Sequence, residues 1–214
     1  MIPSHDTVAI YHQKLRFPKK FLKKNLSPRL FDFPGVYNLY PFTTVLDDEL
    51  LEFLVSFPLE PDFVAVFNNK NQHGPIENRM IHSDIFLDRD KKWKDILFGI
   101  HYELEDTRSQ FHWWDMKDAE KIFPNDDIKH LRFKRLNGIH YGRRGHLGKL
   151  KNSLLLESTE ITGPTLVRTD IPHCVSYLNF KRTRLAFSLR FKYDFQNWNE
   201  VLDFFKYYAF EVSK

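Results

Sequence analysis

The segment formed by residues 184–195 alternates between apolar and mostly polar side chains. Its odd positions are all apolar or aromatic, and its even positions are mostly polar. Because side chains alternate between the two faces of a β-strand, the pattern predicts a strand with one apolar and one polar face. We expect helices to cover the apolar face. In a closed barrel the polar face, with Arg184, Ser188 and Arg190, would lie inside, where it needs a ligand or a counter-charge.

Further short segments are rich in β-branched or aromatic residues and are bounded by polar, Gly or Pro breaks, which is typical of strands. They are residues 62–67, 80–87, 96–104, 110–116, 154–157 and 166–169. Two amphipathic segments predict helices: residues 46–54, capped by Thr43 or Thr44 and ended by Pro58, and residues 197–205. Together they predict a mainly β fold with flanking helices, either a sandwich or a barrel.

The length and composition indicate one domain with a large core. The chain has 214 residues, of which 42% are hydrophobic and 21 are Phe. Residues 1–42 contain five prolines and predict an irregular arm with short strands, packed on a domain formed by residues 43–214. The single cysteine, Cys174, excludes an internal disulfide framework and fits a reducing compartment. No apolar run has the roughly 18 residues of a membrane span, and no signal-peptide pattern is visible. We therefore expect a cytoplasmic protein without a membrane segment.

The charge balance permits an anionic partner without demanding one. The formal net charge is +4, and basic residues cluster at positions 19–24 and 132–151. Such clusters are compatible with contact to a nucleic acid, although a solvated lysine-rich face explains them more simply.

Three residues have the chemistry of a metal site. His82 and Asp84 are two positions apart on a predicted strand, so both side chains point to the same face. A third ligand must come from elsewhere, and His173, which lies 91 residues further on, is the best candidate. Two imidazoles and a carboxylate suit iron(II) and leave coordination positions open. The sequence thus predicts a metal centre formed by His82, Asp84 and His173.

The pattern H-x-D, a distant His and an Arg eleven residues later resembles the Fe(II)/2-oxoglutarate dioxygenase superfamily. Here that Arg is Arg184. The segment 163–173 and the triplet 112–114 also resemble small, poorly characterised bacterial and phage members, and the resemblance covers roughly residues 79–191. It implies a double-stranded β-helix, a jelly-roll or cupin-like barrel, with iron held by His82, Asp84 and His173.

The resemblance also implies a cosubstrate pocket. Arg184 would pair with the distal carboxylate of 2-oxoglutarate, and Arg190 would be a second carboxylate contact. His101 or Tyr102 falls where related proteins place a side chain facing the cosubstrate. Ala186 departs from the pattern, because many members have a serine there, and Ser188 is the candidate substitute.

The expected activity is that of a dioxygen-using oxygenase, a hydroxylase in the simplest case, which converts 2-oxoglutarate to succinate while it oxidises an unidentified substrate. Trp113 is a candidate substrate contact. Arg143 and Arg144, in a predicted loop at residues 137–149, are two more. Two alternatives remain open: a cupin-like metalloenzyme that does not use 2-oxoglutarate, and a non-catalytic binding protein with a vestigial site.

Overall fold

The computed structural model describes residues 11–18, 35–69, 81–87, 90, 92–104, 108–116, 120–122, 134–136, 139–147, 153–177 and 184–210. In these parts of the chain the helices are α1 (Phe42–Val45), α2 (Asp48–Ser56) and α3 (Trp198–Phe205), the last followed by a 3-10 turn at Lys206–Tyr208. The strands are β1 (His12–Lys14), β2 (Gly35–Tyr40), β3 (Pro61–Asn69), β4 (His82–Leu87), β5 (Trp93–Asp95), β6 (Phe98–Glu103), β7 (Ser109–Asp115), β8 (Glu120–Ile122), β9 (Lys134–Leu136), β10 (Ile139–Leu147), β11 (Leu154–Glu160), β12 (Thr165–Arg168), β13 (His173–Tyr177) and β14 (Arg184–Phe191).

The strands form two antiparallel sheets. One has six strands in the order β1-β12-β6-β14-β3-β2, and the other has eight strands, six of them in the order β11-β7-β13-β4-β10-β8. The short strands β5 and β9 pair with β4 and β10. The fold is therefore mainly β with a few helices, as predicted.

The last strand buries both of its faces. Phe187 and Leu189 lie in a large apolar cluster with Leu50 of α2 and Val201 and Phe205 of α3, so helices cover this face as expected. The strand ends at Phe191 rather than at residue 195. Phe191 is opposite Pro61, the first residue of the neighbouring strand β3, so no partner strand remains beyond it.

Two local predictions need correction, and one is confirmed. Asp47 caps α2 by accepting a hydrogen bond from the backbone N of Leu50, whereas Thr43 and Thr44 lie within α1. The described parts of the predicted arm contain the expected short strands, since β1 and β2 form the two edges of the six-stranded sheet. The predicted loop at residues 137–149 contains β10, of which residues 140–145 pair one by one with β4. The glycines of this segment interrupt the strand pattern in the sequence.

The inner faces of the two sheets pack against each other. Phe63, Ala65 and Ala186 of the six-stranded sheet form a buried cluster with Tyr141 of the eight-stranded sheet. A buried ion pair between Arg190 and Asp84 also joins the sheets. The polar face of β14 is therefore interior.

No helix among the described residues is long and apolar enough to cross a membrane.

Candidate metal centre

Two adjacent strands bring the three predicted metal ligands together. His173 of β13 is directly opposite His82 of β4, and Asp84 follows two residues along β4. Paired residues of antiparallel strands share a face, so all three side chains point into the interior. Each offers one ligand atom, these atoms lie within 4.8 Å of one another, and all three residues are buried. Among the described residues, no other group of three possible ligands has this geometry.

The ring of His173 is fixed in the form that a metal needs. Its Nδ1 lies 2.9 Å from the carbonyl oxygen of Ile171 and donates to it, which leaves Nε2 with a lone pair. Burial lowers the pKa of His173, and this outweighs the opposing charge of Asp84. The imidazole is therefore neutral near pH 7, as a metal ligand must be.

Asp84 has one oxygen anchored and one oxygen available. Its Oδ2 accepts a hydrogen bond of 2.5 Å from Nη2 of Arg190. Its Oδ1 is buried without a hydrogen bond and lies 3.9 Å from Nε2 of His82. Burial alone would raise the pKa of Asp84, but the nearby cations, Arg190 above all, hold the pKa well below its usual range. A buried carboxylate oxygen with no donor is costly, and a bound cation would satisfy it. The residues thus fit a metal ion.

Arg190 clamps this carboxylate. Besides Asp84, it donates to the carbonyl oxygen of Phe98 at 2.7 Å and to the hydroxyl of Thr169 at 3.2 Å. Gly99 makes room for it, because a Cβ there would lie 2.8 Å from the guanidinium carbon. Sequence reasoning missed Gly99 and Thr169. For Gly99 a signal existed, because a glycine inside a strand often marks a place where another group approaches the backbone closely. The structure thus places Arg190 on Asp84, one of the candidate metal ligands.

Arg184 is buried at the other end of β14 and already has a carboxylate partner. Its Nη2 donates to Oε1 of Glu103 at 2.6 Å, and its Nε donates to the hydroxyl of Ser109 at 2.9 Å. Sequence reasoning missed Glu103, which is opposite Ala186 on the neighbouring strand β6. An arginine predicted to bind a ligand carboxylate is therefore partly neutralised from within the protein.

His101 connects Arg184 to the metal centre. Its Nε2 lies 3.1 Å from Nη2 of Arg184, and its ring packs edge-on against Phe111, which stacks on His173. Burial, followed by the charges of Arg184 and Arg190, lowers the pKa of His101 well below its usual value. A neutral ring can accept a hydrogen bond from Arg184. Tyr102, the alternative at this position, packs in the outer apolar cluster instead.

Ser188 faces the same interior as His101, which is its direct partner on β6. Its hydroxyl is buried and makes no hydrogen bond with the described residues. Ala186, where a serine was expected, lies in an apolar cluster with Phe67. Ser188 thus remains the available hydroxyl on this face.

The three predicted substrate contacts separate in the structure. Trp113 is fully buried, and its indole N donates to the carbonyl oxygen of Arg168, so we assign it to packing. Arg143 is opposite Asp84 and shares its face, whereas Arg144 is opposite Ser83 and pairs with Asp95 on the outer face. Only Arg143 adjoins the metal centre.

A cavity of about 740 Å³ opens where β14 leaves the sheet. Its lining combines aromatic side chains, among them Phe98 and Trp198, with charged side chains, among them Asp170 and Arg190. The three candidate ligands are not among its lining residues, so Arg190 stands between this cavity and Asp84.

A comparison of the chain with models of protein families, with curated proteins and with solved structures found no match. Any functional conclusion therefore depends on the geometry of the site.

Proposed function

We propose that the protein is an Fe(II)- and 2-oxoglutarate-dependent oxygenase, a hydroxylase in the simplest case, with an unidentified substrate. The observation that carries this proposal is the convergence of His82, Asp84 and His173 within 4.8 Å, with one oxygen of Asp84 buried and lacking a donor. Two imidazoles and one carboxylate on one side of a cation are the ligand set of non-haem iron(II) oxygenases.

The strand order supports a double-stranded β-helix. If β3, β4, β6, β7 and β11 to β14 are numbered 1 to 8, the sheets contain them in the orders 1-8-3-6 and 2-7-4-5. The pairs 1 with 8, 2 with 7, 3 with 6 and 4 with 5 are those of one long antiparallel hairpin rolled up on itself. These pairings support a jelly-roll arrangement, in which the candidate ligands would lie on strands 2 and 7.

Iron(II) bound by these residues would supply open coordination positions for a chelating cosubstrate and dioxygen, and hence oxidising power toward a C–H bond. The protein itself holds and orients the candidate ligand side chains. Arg190 fixes the rotamer of Asp84, and the carbonyl of Ile171 fixes the ring of His173. Asp84 and His173 are both buried, so the site shields their ligand atoms from water.

The interior charges favour an anionic cosubstrate. The buried network around the triad includes the arginines 143, 184 and 190 and the carboxylates of Asp84 and Glu103. These leave one net positive charge, and a divalent cation raises it to three. Because uncompensated charge is costly in a buried site, a dianion such as 2-oxoglutarate is the fitting occupant. Its distal carboxylate would meet Arg184 beside His101 and Ser188.

Anaerobic titration tests the proposal. Iron(II) and 2-oxoglutarate together should produce a weak visible charge-transfer band, and air should then yield succinate. His82→Ala and His173→Ala should abolish both signals. His112→Ala is the matched control, because His112 is a buried histidine of the same sheet whose two ring nitrogens contact Ser158 and Ser176. The absence of the band in the wild-type protein would refute the proposal.

The ion pair between Arg184 and Glu103 favours a second candidate, a cupin-like metalloenzyme that does not use 2-oxoglutarate. In that case the metal would bind to His82, Asp84 and His173 as before. Addition of 2-oxoglutarate would then leave the spectrum of the metal complex unchanged.

A further inference from the structure

We infer that Arg143 recognises a metal-chelating anion at the candidate metal centre. Its guanidinium would bind the carboxylate of that anion beside the cation. This inference rests on the proposed function and adds to it a residue from the eight-stranded sheet. It predicts that affinity for a metal-chelating carboxylate depends on Arg143 separately from Arg184.

The strand register places Arg143 next to the open side of the centre. Strand β4 lies between β13 and β10. His173 is opposite His82 on one side of β4, and Arg143 is opposite Asp84 on the other side. A cation bound by the three candidate ligands would thus have His173 on one side of β4 and Arg143 on the other. Gly145, opposite His82, contributes no side chain to obstruct this approach.

The side chain of Arg143 points toward the site. Its Nε lies 4.0 Å from Oδ1 of Asp84, the oxygen that has no hydrogen bond, and only 12% of the side chain is exposed. Its guanidinium lies 5.5 Å from the ring centre of Phe67, and that of Arg184 lies 5.9 Å from the same ring. The two arginines therefore border one interior space from opposite sheets.

The three interior arginines contact different groups around the candidate centre. The donors of Arg190 point at Asp84, Phe98 and Thr169, and those of Arg184 point at Glu103, Ser109 and His101. The Nε of Arg143 lies 4.0 Å from Oδ1 of Asp84, one of the candidate ligand atoms. A carboxylate that chelates the cation would enter within reach of its planar donors, which suit bidentate recognition of carboxylates.

Two probes separate Arg143 from Arg184 under anaerobic conditions. Cobalt(II) reports on the metal site by its visible spectrum, and oxalate is a chelating dicarboxylate too short to extend from the cation to a distal arginine. The variants are Arg143→Met and Arg184→Met. The matched control is Arg144→Met, one residue away on the opposite face of β10 and paired with Asp95.

We expect Arg143→Met to bind cobalt(II) at least as tightly as the wild-type protein, because a positive charge near Asp84 is removed. Its affinity for oxalate and for 2-oxoglutarate should fall by about 10- to 100-fold, the loss typical of a hydrogen bond to a charged group. Arg184→Met should lose affinity for 2-oxoglutarate but not for oxalate, and Arg144→Met should behave as the wild type. Arg143→Lys should restore part of the oxalate affinity.

The outcomes are distinguishable. Equal oxalate affinity in the wild type and in Arg143→Met, with cobalt(II) bound in both, would overturn the inference and leave the metal centre intact. Loss of cobalt(II) binding in Arg143→Met would also overturn it, because the residue would then be structural. Failure of the wild type to bind cobalt(II) or iron(II) would overturn the proposed function itself.

Discussion

Replacement of Arg190 by Met removes the clamp on Asp84 while it keeps a side chain of similar length in the same space. Arg190 and Asp84 are both nearly fully buried, and their closest atoms are 2.5 Å apart. The substitution leaves a buried carboxylate without its guanidinium partner. The carbonyl oxygen of Phe98 also loses a donor. We therefore expect a large loss of folding free energy.

The magnitude follows from the burial of the pair. Removal of one partner from a buried ion pair costs about 3–5 kcal/mol, since the remaining charge is desolvated and uncompensated. For a chain of this length, each kcal/mol corresponds to about 2–4 °C in Tm. We expect Arg190→Met to lose about 4 kcal/mol, and its Tm to fall by roughly 8–16 °C.

A double-mutant cycle in the presence of a chelator isolates the pair. Asp84→Asn alone should also destabilise the protein, because it leaves the buried guanidinium without a counter-charge. The double variant Arg190→Met/Asp84→Asn should be more stable than the sum of the two single effects by about 2 kcal/mol, measured by denaturant unfolding. Additivity within about 0.5 kcal/mol would show that the two residues do not interact and would refute the clamp.

Two further predictions concern neighbours of the clamp and of the cosubstrate pocket. Gly99→Ala places a Cβ 2.4 Å from the hydroxyl of Ser188 and 2.8 Å from Arg190. We therefore expect the free energy of unfolding to fall by about 1–3 kcal/mol through overpacking, and cobalt(II) to bind more weakly. Unchanged stability and unchanged metal affinity would contradict the close packing. Glu103→Gln removes the internal counter-charge of Arg184 and should tighten anaerobic 2-oxoglutarate binding by about 10-fold, equivalent to one hydrogen bond to a charged group, while thermal stability falls. Weaker binding would indicate that Glu103 positions Arg184 for the ligand.

Local patterns were sufficient for the strand cores and for the candidate ligands. The seven predicted strands all occur, because period-two alternation is set by each strand's own sequence. The pair His82 and Asp84 shares a face for the same reason. The strand β10 was missed because glycines at positions 142 and 145 interrupt its pattern. They lie within the sheet because β4 pairs with them, and that pairing is not encoded locally.

The roles of the arginines could not be predicted in this way. The alternation of β14 places Arg184 and Arg190 on one polar interior face, and the structure agrees. The carboxylate partners of the two arginines are 81 and 106 positions away in the chain, Glu103 for Arg184 and Asp84 for Arg190. No spacing rule connects such residues, so the prediction that both arginines bind the cosubstrate did not foresee these partners.

The sequence by itself determined which side chains of a strand share a face, because this depends on the geometry of that strand alone. It also determined which residues have side chains that can bind a metal ion. Only the tertiary structure decided that β4 and β13 are neighbours, that Arg190 holds Asp84, that Glu103 holds Arg184, and that Arg143 borders the same space. The first and third of these relations arise from strand pairing within one sheet, and the other two arise because the two sheets pack face to face. The candidate ligands can thus be identified from the local sequence, whereas the charges around them depend on the tertiary structure.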